Sequence, residues 1–179
     1  DPFGGKPFSA SVANVPFADL QYQVLRGDFN HDGLIDVSYG SDVWYAKQQQ
    51  PDLLKTVTNG FGVQIKLEYS PLVNDNNNGQ PLYTPASEKP LFPQRHANRN
   101  MQVVKKFSVS DGQGGERDRY FNYVGAKQDA QGRGFLGFEK ITVTDTAKDI
   151  VATTTYKQDF PFIGNVETVE VKNTAGNLI

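Results

Sequence analysis

Apolar and polar residues alternate along most of the second half of this chain. "VQIKLEY" (63–69) does so throughout, and "QVVKKFSVSD" (102–111), "RYFNYVG" (119–125), "FEKITVTD" (138–145), "VATTTYKQDF" (151–160) and "NVETVEVKN" (165–173) behave similarly. A period of two sends successive side chains to opposite faces of a strand. These stretches are also rich in Val, Ile, Thr, Tyr and Phe, which suit a pleated, half-buried surface. Turn-forming clusters separate them: "TNGFG" (58–62), "SDGQGG" (110–115), "QGRG" (131–134) and "NTAGN" (173–177). Further upstream, "ADLQYQVLRG" (18–27) and "LIDVSYG" (34–40) read as strands too. Helical periodicity is scarce, and the best candidate, "YAKQQQPDLLKTV" (45–57), is interrupted by Pro51. Residues 70–100 hold five of the ten prolines and read as an extended, mobile loop. The expected fold is all-β, with antiparallel strands and hairpins arranged as a sandwich, an open meander or part of a larger β assembly.

Composition narrows the function. The chain has 179 residues, 37% hydrophobic and 12% aromatic, enough for a buried core. A formal net charge of −2, from 18 basic and 20 acidic side chains, gives no electrostatic footprint for nucleic acid. Cysteine is absent, so disulfides and thiolate metal sites are excluded. No apolar run approaches the ~18 residues of a membrane span, so direct membrane insertion is not expected. The opening "DPFGGKPFSASV" has neither the basic start nor the apolar core of a signal peptide, and the sequence reads as the interior of a longer protein.

One stretch departs from this bland picture. "RGDFNHDGLIDVSYG" (26–40) places Asp28, Asp32 and Asp36 within nine positions, with Asn30 between the first two. Three uncompensated carboxylates a few ångström apart repel by roughly 1 kcal/mol per pair even in water. Only Arg26 and His31 lie near in sequence to offset them. Hard cations such as Ca²⁺ take oxygen ligands, and a tight loop delivers them at alternate positions. Counted from Asp28, loop positions 1, 3, 5 and 9 are Asp28, Asn30, Asp32 and Asp36. Gly33 stands where the backbone must turn, and Leu34 can offer its carbonyl. The opening matches an EF-hand loop, but Tyr39 stands where that loop needs a bidentate Glu. With β-like sequence on both sides, the expectation is a strand–loop–strand site for a structural Ca²⁺, against a bare Asx-rich turn as the simpler reading.

This loop resembles the FG-GAP or VCBS-type repeat of β-propeller blades, whose signature is G-D-F-N-x-D-G-x-x-D between strands. Further on, "LLKTVTNGFGVQIKLEYSPL" (53–72), "YFNYVGAKQDAQGRGFLGFEKITVTD" (120–145) and "TTTYKQDFPFIGNVETVEV" (153–171) are similar to the B component of bacterial insecticidal toxin complexes and the related SpvB-type virulence proteins. The closing "NTAGNLI" is similar to the "AGN" turn of RHS/YD repeats. The resemblance implies a propeller-blade-like segment followed by RHS-shell-like strands, in a secreted bacterial protein whose shell encloses a toxic polypeptide. It implies as partners the other toxin-complex components or the rest of a longer chain, and a segment that is architectural rather than catalytic. The implied organisation is an unassigned segment at 1–17, a blade fragment with the cation loop at 18–50, and a toxin-complex/RHS-like β domain at 51–179. Only one blade-like loop is visible, whereas a closed propeller needs about 4–8 blades.

The remaining constellations are weaker. "QGRGFLGFEK" has three glycines around Arg133 and Phe135 but neither dinucleotide-fold nor Walker spacing, and reads as a tight turn feeding a strand. "NDNNNGQ" (74–80) reads as a solvated loop, and "GERDRYF" (115–121) as an exposed strand start with local ion pairs. No nucleophile elbow or other catalytic set emerges, so no catalytic residue is assigned. The alternative to an architectural segment is a free-standing extracellular, calcium-stabilised module that binds glycan or protein through Trp44, Tyr45, Phe160 or Phe162. Aromatics at strand spacing are more often core than platform.

Overall fold

The computed structural model describes residues 6–8, 24–30, 34–46, 53–72, 76–97 and 101–179, all in strands, turns and irregular segments with no helix among them. The protein is all-β, and among the described residues its sheets are antiparallel apart from two short parallel pairings. It divides into two compact units, residues 1–53 and 54–179.

The smaller unit is a four-stranded sheet of β1 (Lys6–Phe8), β2 (Val24–Gly27), β3 (Asp36–Tyr39) and β4 (Asp42–Ala46) in the order β1-β4-β3-β2. β2, β3 and β4 run antiparallel, while β1 joins β4 in parallel with Lys6 opposite Trp44. Tyr39 pairs with Asp42 across a two-residue turn, and Gly40 within it has a φ of 61°. Tight hairpin turns demand that left-handed conformation, which glycine adopts without steric cost.

The larger unit runs from β5 (Thr56–Thr58) and β6 (Gln64–Pro71) through β7 (Asn76–Asn77), β8 (Gln80–Pro81), β9 (Tyr83–Thr84) and β10 (Gln94–His96). The long strands β11 (Gln102–Ser110) and β12 (Glu116–Val124) follow, then β13 (Lys127–Asp129) and β14 (Gly134–Gly137). β15 (Lys140–Asp145), β16 (Ile150–Tyr156) and β17 (Val166–Lys172) complete it. The main sheet is ordered β17-β16-β15-β12-β11-β6-β5, with β9 attached to β12. β10, β13 and β14 form a separate three-stranded sheet, and β7 pairs with β8.

Five of the six strands expected downstream from alternation coincide with β6, β11, β12, β15 and β17 to within three residues at each end; the sixth, 151–160, gives out at Tyr156, the end of β16. The proline-rich stretch 70–100 departs from its expected looseness. It contributes β7 to β10, and it carries Leu72, Leu82, Tyr83 and Ala97 into the core beside Val103, Tyr123 and Ala126. Of the weak helical candidate at 45–57, residues 47–52 lie outside the described ones, Tyr45 and Ala46 end β4, residues 53–55 are irregular, and Thr56 and Val57 enter β5.

The physical reason for this ordering lies in a fork between β11 and β12. They pair from Lys106↔Tyr120 to Ser110↔Glu116, after which β11 bulges between Val104 and Lys106 and stays with β6. β12 leaves β11 but stays with β15 on its other side, and its last residues, Tyr123 and Val124, pair in parallel with Tyr83 and Thr84. The short arm β7–β9 thus occupies the opening, and Leu82, fully buried, seals it. Asn77 is buried between the two strands, and its side-chain amide donates to the carbonyls of Lys105 (2.7 Å) and Phe121 (2.8 Å). The Tyr123 hydroxyl donates to the Val104 carbonyl at 2.7 Å. Burial of that phenol pushes its pKa above the ordinary tyrosine value. Buried polar groups require such partners, so the fork is held by polar side chains as much as by apolar packing.

"GERDRYF" differs from its expected local pairing. Lys66 pairs with Glu116, Lys106 sits 3.1 Å from Glu68 and 3.4 Å from Asp118, and Arg119 lies 3.2 Å from Asp145. Adjacent residues on a strand point to opposite faces, so Glu116, Asp118 and Arg119 reach neighbouring strands instead of their neighbours in sequence.

At the other margin, β17 is exposed along Val166–Glu170, with Val166 and Val169 more than half accessible. Beyond the turn at Asn173–Gly176, Leu178 bridges to Lys172 and the Ile179 N–H donates to the Val171 carbonyl at 3.1 Å. The last residues therefore bridge antiparallel to the end of β17.

Candidate functional site

In the smaller unit, Gly27 pairs with Asp36 at the base of the loop joining β2 to β3. Asp28, Asn30, Leu34 and Asp36 are described; Asp32, Gly33 and His31 lie outside the described residues. Asp36 is only 1% exposed. Its Oδ2 accepts the Phe29 N–H at 2.8 Å and its Oδ1 accepts the Ala46 N–H at 2.9 Å. One carboxylate therefore ties the start of the loop to the end of β4. Each oxygen retains a second lone pair. The candidate ligands of the loop are all oxygen donors, which suit a hard cation and not a soft one. Among the described residues, no group of three or more His, Cys, Asp or Glu side chains converges to hold a metal.

Trp44 and Tyr45, the candidate ligand-binding aromatics after the loop, are half-buried in β4. Phe160 and Phe162 behave oppositely, at 68% and 53% exposed. They sit on a hairpin that leaves β16 at Lys157 and returns at Asn165, where the Lys157 N–H donates to the Asn165 carbonyl at 2.9 Å. Gln158 anchors this hairpin: it is buried, and its side-chain amide donates to the carbonyls of Gly125 (2.7 Å) and Gly137 (2.8 Å). Gly125 has a φ of 67°, and a Cβ there would lie 2.7 Å from Glu139 Cβ, so the approach requires glycine.

The three-glycine stretch is a turn feeding β14. Asp129 is buried, and its Oδ1 accepts the N–H groups of Gln131 (2.7 Å) and Arg133 (3.4 Å). The Arg133 guanidinium lies 3.5 Å from Asp129 Oδ2 and 4.7 Å from the centre of the Phe160 ring. The two stretches "QGRGFLGFE" and "QDFPFIG", separated in the chain by the whole of β15 and β16, are therefore in contact.

A family model described as the insecticide toxin TcdB middle/N-terminal region matches residues 6–163. The chain belongs to that family. No curated protein matches it. The toxin family match runs from β1 to the hairpin carrying Phe160 and Phe162, and so includes the Asp loop and both contacting stretches. This is not a known catalytic family, and its description places the chain in an insecticidal toxin. No helix among the described residues is long and apolar enough to cross a membrane.

Elsewhere in the toxin chain a groove of about 440 Å³ lies over the sheet, lined by residues that include Gln80, Asn122, Thr142, Thr144 and Thr174. None of its lining residues is charged. Asn77, Gln158 and Gln94, which hold the larger unit together, were not singled out by sequence reasoning. Gln158 had a signal in its place beside "DFPF", whereas Asn77 stands in a run of asparagines that looks solvated.

Proposed function

We propose that the chain is a non-catalytic, structural segment of a secreted bacterial toxin-complex protein, linking a propeller-like part to a shell that encloses a toxic polypeptide. The observation that carries this reading is the margin of the main sheet. Val171 turns its carbonyl away from β16 to Ile179, so with a period of two Val169 also presents its backbone outward. An unpaired strand edge is a template for further pairing, and here Leu178 already bridges antiparallel to Lys172 at that edge. Family membership supports association with other toxin components.

The Asp loop fits the same role as a structural Ca²⁺ site. Asp28, Asn30, Asp32, the Leu34 carbonyl and the remaining lone pairs of Asp36 would supply the oxygens, with the turn at Gly33. Such an ion would offset the clustered negative charge and pin β2 to β3, supplying stability and no chemistry.

The test is Val169→Pro in the full-length toxin. Proline on an edge strand is tolerated where the missing N–H faces outward, and it blocks addition of the next strand. Residues 1–179 with this substitution are expected to melt within about 2 °C of wild type. The full-length variant is expected to lose protease protection of its enclosed polypeptide. Unchanged protection would overturn the shell reading.

A further inference from the structure

Two turns of related sequence are clipped together in the larger unit. "LFPQ" closes with the Gln94 N–H donating to the Leu91 carbonyl, and "DFPF" with the Phe162 N–H donating to the Asp159 carbonyl, each at 2.8 Å. The Gln94 side-chain amide donates to Asp159 Oδ1 at 2.8 Å and joins them. The Pro93 carbonyl accepts the Ala130 N–H at 2.9 Å, which fixes the first turn to the segment after β13. Buried Gln158 fixes the second. On these anchored turns Leu91 is 83% exposed, Phe92 79%, Phe160 68% and Phe162 53%.

The three phenylalanines together expose on the order of 300–500 Å² of aromatic surface. That alone equals the largest apolar patch of a typical monomer, a size that marks interaction sites. Charge identifies the kind of occupant. Arg133 lies over Phe160, and the Lys157 ammonium is 5.4 Å from the centre of the Phe162 ring. Within residues 91–97, 126–139 and 157–164 the exposed charges are the cations Arg95, Arg133 and Lys157 and the carboxylate of Asp159, already bonded to Gln94, while the half-buried Lys127 and Glu139 offset each other and Glu139 faces Lys140. Asp129 is buried beneath Arg133. The accessible face is apolar and cationic, and arginine beside aromatics is the usual composition of an interface centre.

We propose that these two turns form a docking surface for an acidic polypeptide segment bearing apolar side chains, with Phe92 and Phe160 as anchors and Arg133 and Lys157 meeting its carboxylates. Rings fixed by hydrogen-bonded turns lose little freedom on binding, which favours a defined polypeptide partner. A lipid surface fits less well, because interfacial anchoring favours Trp and Tyr and the patch has neither. The inference does not depend on the shell reading.

The experiment is fluorescence anisotropy on the 179-residue chain with a short labelled peptide alternating Glu with Phe and Leu. Its Gln and Lys counterparts and vesicles of phosphatidylserine serve as comparisons. The Glu peptide is expected to bind about tenfold more tightly than the Gln peptide, and to weaken about tenfold in Phe160→Ser. Lys157→Glu, which leaves the Arg133–Asp129 contact intact, is expected to weaken it similarly at unchanged thermal midpoint. No binding of the Glu peptide, equal binding of the Lys peptide, or indifference to Phe160→Ser overturns the proposal. So does preferential binding to vesicles, or self-association of the chain that Phe160→Ser abolishes.

Discussion

The fork between β11 and β12 depends on a side chain that looks dispensable in the sequence. Asn77→Ala removes both N–H donors from the carbonyls of Lys105 and Phe121, which it meets at 2.7 and 2.8 Å. Leaving a buried acceptor without its donor costs about 1–3 kcal/mol. With two carbonyls affected and some relaxation, about 2–4 kcal/mol is expected. Against a typical stability of about 5–15 kcal/mol this is a large fraction. For a domain of this size it lowers the melting midpoint by roughly 4–16 °C. Asn77→Asp is the sharper probe, since it keeps the shape and turns a donor toward two acceptors into a third acceptor. At pH 7 its carboxylate would face both carbonyl dipoles, so it is expected to cost more than alanine; burial there raises its folded-state pKa, so that excess should disappear as pH falls from neutral toward about 4, the unfolded value. Thermal and urea unfolding of the three proteins, followed by circular dichroism, measure these differences. The reasoning is refuted if Asn77→Ala stays within about 0.5 kcal/mol of wild type, the range of an ordinary surface change, or if the aspartate variant is no worse than alanine at pH 7.

Other outcomes follow from the same structure. Saturating Ca²⁺ at about a hundredfold over its dissociation constant contributes about 2.7 kcal/mol if only the folded state binds. The midpoint should then rise by roughly 5–11 °C over a chelated sample, and Asp32→Ala should abolish that rise; equal melts with Ca²⁺ and chelator would reduce the loop to a turn. Asp118 accepts a hydrogen bond from Ser108 at 2.6 Å and faces Lys106, which together hold its carboxyl below the ordinary value of 3.8. A depressed carboxylate contributes stability above its unfolded pKa and loses it as pH falls through the folded value. Asp118→Asn should therefore be less stable than wild type by up to about 1 kcal/mol above pH 5, with the two converging below about pH 3; a constant gap across pH would contradict this.

The sequence spoke most clearly where strands were long. β11, β12 and β15 bury enough consecutive positions for a period of two to show, and their Val, Ile, Thr and Tyr agree with it. β7, β8 and β9 have two residues each, too short for any period. Prolines at 81 and 85 flank buried Leu82 and Tyr83, so punctuation meant for loops concealed two core residues. Those strands are ordered by tertiary contacts, such as the Asn122 side-chain amide donating to the Pro81 carbonyl at 2.9 Å. Propensity could not reveal them. Phe160 and Phe162 would count as core by composition, yet Gln158 takes the buried place beside them because two backbone carbonyls there require a donor. In the Asp loop the residue types pointed to oxygen ligation, but the double duty of Asp36 toward Phe29 and Ala46 depends on where β4 passes, which spacing does not encode.

The proposed role as shell wall rests on a β17 margin that accepts a further strand. Hydrogen exchange at the Val169 amide tests it most directly, because that N–H points away from β16 and depends on the next strand for a partner. The account predicts fast exchange in residues 1–179 and slow exchange, comparable to the central strands, in the full-length toxin. Equally fast exchange in both would contradict it.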